Sequence, residues 1–81
     1  MKFLVFLVLT VSFLFGAIDI NNASAKELTS LKGIGEKKAA SIVEYRKLHC
    51  FKSVDEITLI KGIGKKTLEK NRDNIEVGTC E

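Results

Sequence analysis

Proline and tryptophan are absent from this 81-residue chain, and histidine, tyrosine and methionine each occur once. Without proline or any low-complexity tract, nothing marks a linker long enough to separate domains, and the length allows one small domain at most. The single histidine, His49, and two cysteines, Cys50 and Cys80, leave no evident nucleophile–base pair and no cluster of metal ligands. Asp55-Glu56 is the most prominent acidic pair, and it stands where a helix begins, a position that favours carboxylates for capping. The expectation is a protein that is not an enzyme and that takes no metal and no cofactor. His49 reads as an exposed polar residue at a helix end; the rival reading is a proton switch.

Long apolar runs are equally scarce, with one exception at the N-terminus. After Met1-Lys2, the stretch Phe3 to Phe15 is apolar apart from Thr10 and Ser12, and Gly16-Ala17 supplies small residues. This pattern reads as a secretory signal peptide over residues 1–17. A cut after Ala17 leaves Phe15 where a small residue is usual. Ala23-Ser24-Ala25 has the better form, but a cut there removes the serine that starts the first helix. The rival is an uncleaved anchor in the inner membrane, against which stands the need for about 20 apolar residues to span a bilayer. Cleavage places residues 18–81 outside the cytoplasm, in a periplasmic or extracytoplasmic setting.

So small an exported domain is marginal on its hydrophobic core alone. Both cysteines lie in this part, and an oxidising compartment makes a Cys50–Cys80 disulfide the first reading. Closing a loop of about thirty residues stabilises by about 3–4 kcal/mol in the chain-entropy account. The alternative is two unpaired or intermolecular thiols. Asn22-Ala23-Ser24 matches a glycosylation sequon, a short match that reads equally well as turn chemistry.

What the chain does have is a repeat. Leu31-Lys32-Gly33-Ile34-Gly35-Glu36-Lys37-Lys38 returns 29 positions later as Ile60-Lys61-Gly62-Ile63-Gly64-Lys65-Lys66-Thr67. Glu27, Thr29, Lys32, Gly33, Ile34, Gly35 and Lys37 each have an identical counterpart in the second copy. Ser24-x-x-Glu27 and Ser53-x-x-Glu56 both have the form of a capping box that opens a short helix. The spacing predicts short helices over 25–31 and 54–60 and longer ones over 36–48 and 65–72, each pair joined by a Gly-Ile-Gly turn. Leu28, Leu31, Ala39, Ile42, Val43, Phe51 and Leu68 are the expected core. Ala39 and Ala40 are small enough for a neighbouring helix to approach closely, and Ile18 to Asn22 is a short extended lead-in. The fold class is all-α, two pseudo-symmetric units over about 24–48 and 53–72 following the leader.

Net charge past Ala17 is only +2, but its distribution is uneven. Lys32, Lys37 and Lys38 surround the first turn against Glu36, while Lys61, Lys65 and Lys66 surround the second with no acid between them. Basic charge gathered at two turns is the footprint of a polyanion binder. Glycines let a ligand approach the backbone closely, and the helix that follows presents unpaired N–H groups at the same place. An isoleucine between two glycines can turn inward and anchor the loop. This chemistry suits a phosphate backbone and reads no bases.

Leu31 to Ala39 followed by Ile42-Val43 resembles the helix-hairpin-helix motif, and two copies resemble the SAM-like (HhH)₂ domain of many DNA repair and processing proteins. More narrowly, Ile18 to Ser24, Ile42-Val43-Glu44-Tyr45-Arg46, Phe51 to Glu56 and Gly62-Ile63-Gly64-x-Lys66-Thr67-Leu68-Glu69-Lys70 are similar to ComEA-type competence proteins, a likeness running from Ile18 to Val77. The resemblance implies a non-sequence-specific receptor for double-stranded DNA outside the inner membrane, acting in DNA uptake alongside inner-membrane channel components. It assigns phosphate contacts to Gly33, Gly35, Lys37 and Lys38, and to Gly62, Gly64, Lys65 and Lys66, with Lys32 and Lys61 as outer contacts and Ile34 and Ile63 included in the DNA-binding hairpins as the residues between the glycines. The family often has proline where Glu36 and Lys65 stand, and the two cysteines are not part of its motif. One tyrosine and no tryptophan offer no stacking platform for single strands. The alternative functions are an envelope protein-interaction module built on the same hairpins, and an accessory to a processing enzyme, which the leader disfavours.

Overall fold

The computed structural model describes residues 17–80. All but Ala17 of the expected leader therefore lies outside the described residues. After a strand of two residues, β1 (Ile18–Asp19), the first helix α1 spans Ala25–Leu28. Its start is the capping box expected from sequence. The Ser24 hydroxyl accepts the Glu27 N–H at 3.1 Å, and Glu27 Oε1 accepts the Ser24 N–H at 2.9 Å. The α-helical part is shorter than expected because the chain tightens to i→i+3 bonds, with Ser30 N–H on Glu27 O and Leu31 N–H on Leu28 O, both 3.1 Å.

Helix α2 spans Glu36–Leu48, the expected bounds, and packs against α1. Ala39 and Ile42 are fully buried and Val43 packs partly against them. Ala40 is exposed, so only Ala39 of the small pair sits at a contact: one residue further round a helix faces away. Arg46 lays its guanidinium back across the core edge, donating to Ile20 O at 3.1 Å. Phe51 plugs the core behind α2, fully buried, its ring tilted against that of Tyr45 with centroids 5.1 Å apart.

The second half departs from the first. Val54–Leu59 is a 3₁₀ helix, and the expected capping box at Ser53 does not form. The tighter turn places the Glu56 N–H on the Ser53 carbonyl at 3.1 Å, leaving the serine hydroxyl without that donor. The Glu56 carboxylate swings instead to the Lys52 N–H at 2.8 Å. Helix α3 (Lys65–Asn71) follows the second turn, then a 3₁₀ turn over Arg72–Asn74 and the strand β2 (Ile75–Glu76). Arg72 ties this half together, donating to Asp55 at 2.8 Å and Glu69 at 2.7 Å. The hydrogen bond from Arg72 holds the Glu69 carboxyl below its ordinary range, and the two carboxylates push the guanidinium upward.

A small parallel pairing of the two ends completes the helical fold. Ile18 sits opposite Ile75 and Asp19 opposite Glu76, and the Ile20 N–H extends the ladder to Glu76 O at 3.0 Å. Ile20 is thereby drawn fully into the core and Ile75 beside it. Asn21 stitches three segments: its amide donates to Phe51 O (2.9 Å) and Gly78 O (3.1 Å) and accepts the Phe51 N–H (2.9 Å). Cys50 and Cys80 are joined in a disulfide whose Cα atoms lie 5.7 Å apart, holding the tail to the connector.

Asp19 fastens the same closure. Its carboxylate accepts N–H groups from Gly78 (2.8 Å) and Asn21 (2.9 Å) and the Asn22 amide (2.7 Å). A side chain on Gly78 would collide with that carboxylate, which explains glycine there. Burial alone would raise the Asp19 carboxyl, but the donors from Asn22, Gly78 and Asn21 outweigh it and hold it below the ordinary value. A carboxyl lowered on folding stabilises above its unfolded pKa, about 3.9, and that contribution fades as pH falls through the lower folded value. The melting-temperature gap between wild type and Asp19→Asn should therefore shrink as pH drops from about 5 toward 2. A gap that stays constant across that range would show that the lowered carboxyl carries no linkage.

Candidate functional site

Each turn is set by residues that leave the surface. Ile34 and Ile63 are buried, as are Leu31 and Ile60 two residues before the first glycine of each turn. Ile34 N–H bonds to Leu31 O at 3.2 Å and Ile63 N–H to Ile60 O at 3.0 Å. Folding the chain back so tightly requires positive φ at the first glycine of each turn, +76° at Gly33 and +92° at Gly62. Other residues adopt that region only at a cost. Of the twelve residues assigned to the site by sequence, Ile34 and Ile63 serve as its buried anchors.

The second glycines differ in kind. Gly35 (φ −93°, ψ −169°) and Gly64 (φ −102°, ψ −174°) are extended, a conformation open to any residue. A Cβ added at either would meet nothing within 4 Å. Neither backbone geometry nor internal packing calls for glycine there. Both are helix N-caps without a side-chain cap, and the first intrahelical bonds are donated by Ala39 to Gly35 O (2.9 Å) and by Leu68 to Gly64 O (3.0 Å). The amides ahead of them are the unpaired donors of a helix start. Both turns thus present bare backbone N–H groups to solvent.

The basic residues frame these starts. Lys32, Lys37, Lys61, Lys65 and Lys66 are exposed. Lys38 is half-buried and braces the structure, its Nζ donating to Gly33 O at 3.3 Å while its stem covers the second turn. A Cβ at Gly62 would lie 3.2 Å from Lys38 Cε; one at Gly33 would lie 3.6 Å from the Thr67 side chain. Residues 38 and 67 occupy the same position of the repeat. The helix of each unit therefore packs on the turn of the other, which brings the two basic turns into one assembly.

Asn71 was missed by sequence reasoning. It is buried, and its amide grips Lys32 through both the N–H (2.9 Å) and the carbonyl (2.8 Å). The signal was present: an asparagine stands where the first copy has the apolar Ile42. His49 is exposed at the end of α2. No group of three or more His, Cys, Asp or Glu among the described residues is placed to hold a metal ion.

A family described as helix-hairpin-helix motif matches residues 15–76. The chain is 52% identical over 60 residues to an uncharacterized protein of Haemophilus influenzae, covering 72% of this chain and 54% of that one. It is 38% identical over 61 residues to ComE operon protein 1 of Bacillus subtilis, covering 74% of this chain and 30% of the relative. A human endonuclease/exonuclease/phosphatase family domain-containing protein 1 is 38% identical over 63 residues, 76% of this chain but only 11% of that protein. This chain thus spans about half of the first relative and under a third of the second.

The two kinds of glycine should separate in stability measurements. Gly33→Ala and Gly62→Ala should each destabilise by about 1 kcal/mol or more, from positive φ. Gly35→Ala and Gly64→Ala should each cost only about 0.5 kcal/mol, the penalty of a weaker cap. Urea unfolding of the four variants checks this; equal losses at all four would contradict it.

Proposed function

We propose a DNA-binding role from one premise: the chain belongs to the helix-hairpin-helix family. In this reading residues 18–81 bind double-stranded DNA through its phosphates and without sequence preference. The two hairpins, over about 24–48 and 53–72, work as a pseudo-two-fold pair, one on each strand. The observation that carries it is the bare, extended glycine at each helix start. Gly35 and Gly64 have no internal reason to lack a side chain, yet a phosphate oxygen approaching the amides behind them would need that space.

Charge follows the same plan. Lys37 beside the first start, and Lys65 and Lys66 at the second, add mobile positive charge, with Lys32 and Lys61 further out. Glu36 favours the dipole of α2 but repels a phosphate, so the second hairpin contributes more of the electrostatic attraction. The hairpins hold, position and neutralise; nothing in them performs a reaction. The protein is read as a binding protein, not an enzyme, and the catalytic wording in the human relative's name concerns a protein of which this chain matches a small part.

Similarity to ComE operon protein 1 supports a competence role. With the leader read as a cleaved signal peptide, the protein is an extracytoplasmic receptor that captures duplex DNA for uptake through inner-membrane channel components. An uncleaved leader would leave the same receptor anchored at that membrane. A second reading, an envelope protein-interaction module, has its own support: Leu48 and Leu59 are 82% and 61% exposed beside Tyr45 and Ile60.

Titration of the oxidised protein against random duplex at several salt concentrations tests the proposal. Engaging about four to six phosphates predicts a log–log salt slope between about −3.5 and −5.5. Lys37→Ala, Lys65→Ala and Lys66→Ala together, leaving the bracing Lys38 in place, should weaken binding at least about tenfold and flatten the slope. No saturable binding at low salt would refute the DNA reading and favour the interaction module.

A further inference from the structure

We propose that Asn71 is a positioning residue that locks the first hairpin's turn to the helix behind the second, so that both hairpins meet one duplex at a fixed spacing. The inference rests on the DNA-binding reading and adds to it a residue that touches no phosphate.

Asn71 is the one buried polar side chain among the described residues, 2% exposed at the end of α3. Its carboxamide is fully engaged. Oδ1 accepts the Lys32 N–H at 2.9 Å, and Nδ2 donates to Lys32 O at 2.8 Å and to Thr67 O at 2.9 Å. Gripping one residue by both its N–H and its carbonyl fixes the orientation of two successive peptide groups. Lys32 immediately precedes Gly33, the positive-φ residue on which the first turn pivots. The bond to Thr67 O ties the amide to its own helix, and the Thr67 side chain rests near Gly33 as well. The link joins residues 39 apart in sequence and crosses from the second repeat to the first.

The clamp is one-sided. The corresponding residue of the first repeat is Ile42, fully buried and with a side chain that cannot hydrogen-bond. The second turn is covered instead by the flexible stem of Lys38. The first hairpin, which carries the unfavourable Glu36, is thus the one held most firmly. Rigid linkage matters for two weak sites on one ligand, because the second contact then forms at high effective concentration. Loosening the link lowers affinity while every contacting group remains.

Three measurements on the oxidised protein test this: duplex affinity across salt, amide hydrogen exchange at Lys32, and thermal unfolding. Asn71→Ala should weaken binding about tenfold, reduce the salt slope by about one to two as fewer phosphates are engaged together, and speed Lys32 exchange at least about tenfold. Asp19→Ala, which loosens the joined chain ends and makes no contact with either turn, should lower the melting temperature and leave the salt slope unchanged. If Asn71→Ala fails to fold, the near-isosteric Asn71→Leu removes the same hydrogen bonds with the volume kept. A folded Asn71 variant with wild-type affinity and slope, measured where wild type binds, overturns the positioning role alone. A wild type that does not bind duplex overturns the DNA reading and this role with it.

Discussion

Ile34 and Ile63 turn inward, and the arrangement of both hairpins depends on it. Burying an isoleucine side chain stabilises by roughly 1.5–3 kcal/mol, enough to force a sharp reversal if the backbone on one side can take positive φ. Gly33 and Gly62 supply that freedom. In both turns the residue after the anchored isoleucine runs extended at the surface into a new helix. The free amides of that helix then point to solvent beside the turn. In the proposed DNA-binding reading the phosphate site is a consequence of this core packing, with no dedicated side chain required to build it.

The two turns are held as one object by exchange. Thr67 of the second unit lies near Gly33, Lys38 of the first lies against Gly62, and Asn71 grips Lys32. The rest of the chain closes the fold elsewhere through the pairing of β1 with β2, the Asp19 and Asn21 hydrogen bonds and the Cys50–Cys80 disulfide. A domain this small gains much from such closure, since its core is limited. Charge is divided accordingly: the turns concentrate lysine, while acidic groups such as Asp19, Asp55 and Glu69 are engaged in hydrogen bonds and ion pairs that hold the scaffold.

Local information in the sequence was enough for the elements made of local bonds. Helix α2, its bounds, the Ser24 box, the buried Leu28, Leu31, Phe51 and Leu68, and the inward isoleucines all follow from spacing within a few residues. The second box failed because a 3₁₀ turn and an α-turn share the same Ser-x-x-Glu pattern, and only the hydrogen-bond register separates them. The pairing of Ile18–Asp19 with Ile75–Glu76 and the Asn21 stitch were not legible, since each two-residue strand is defined only by a partner far along the chain. Asn71 belongs to the same class. A polar residue in an apolar slot signals a buried hydrogen bond but does not name its acceptor. The contrast between the glycines of one turn was also hidden, because Gly33 and Gly35 look alike in sequence and differ only in φ and in what surrounds them.

The central claim is that both turns form one phosphate-gripping surface. Following backbone amide resonances of the ¹⁵N-labelled protein during titration with random duplex tests it most directly. The account predicts that Gly35, Glu36 and Lys37 shift together with Gly64, Lys65 and Lys66, along one binding curve, while amides around Asp19, Asn21 and Gly78 stay in place. Shifts confined to one turn, or gathered around Leu48 and Leu59 with both turns silent, would contradict it.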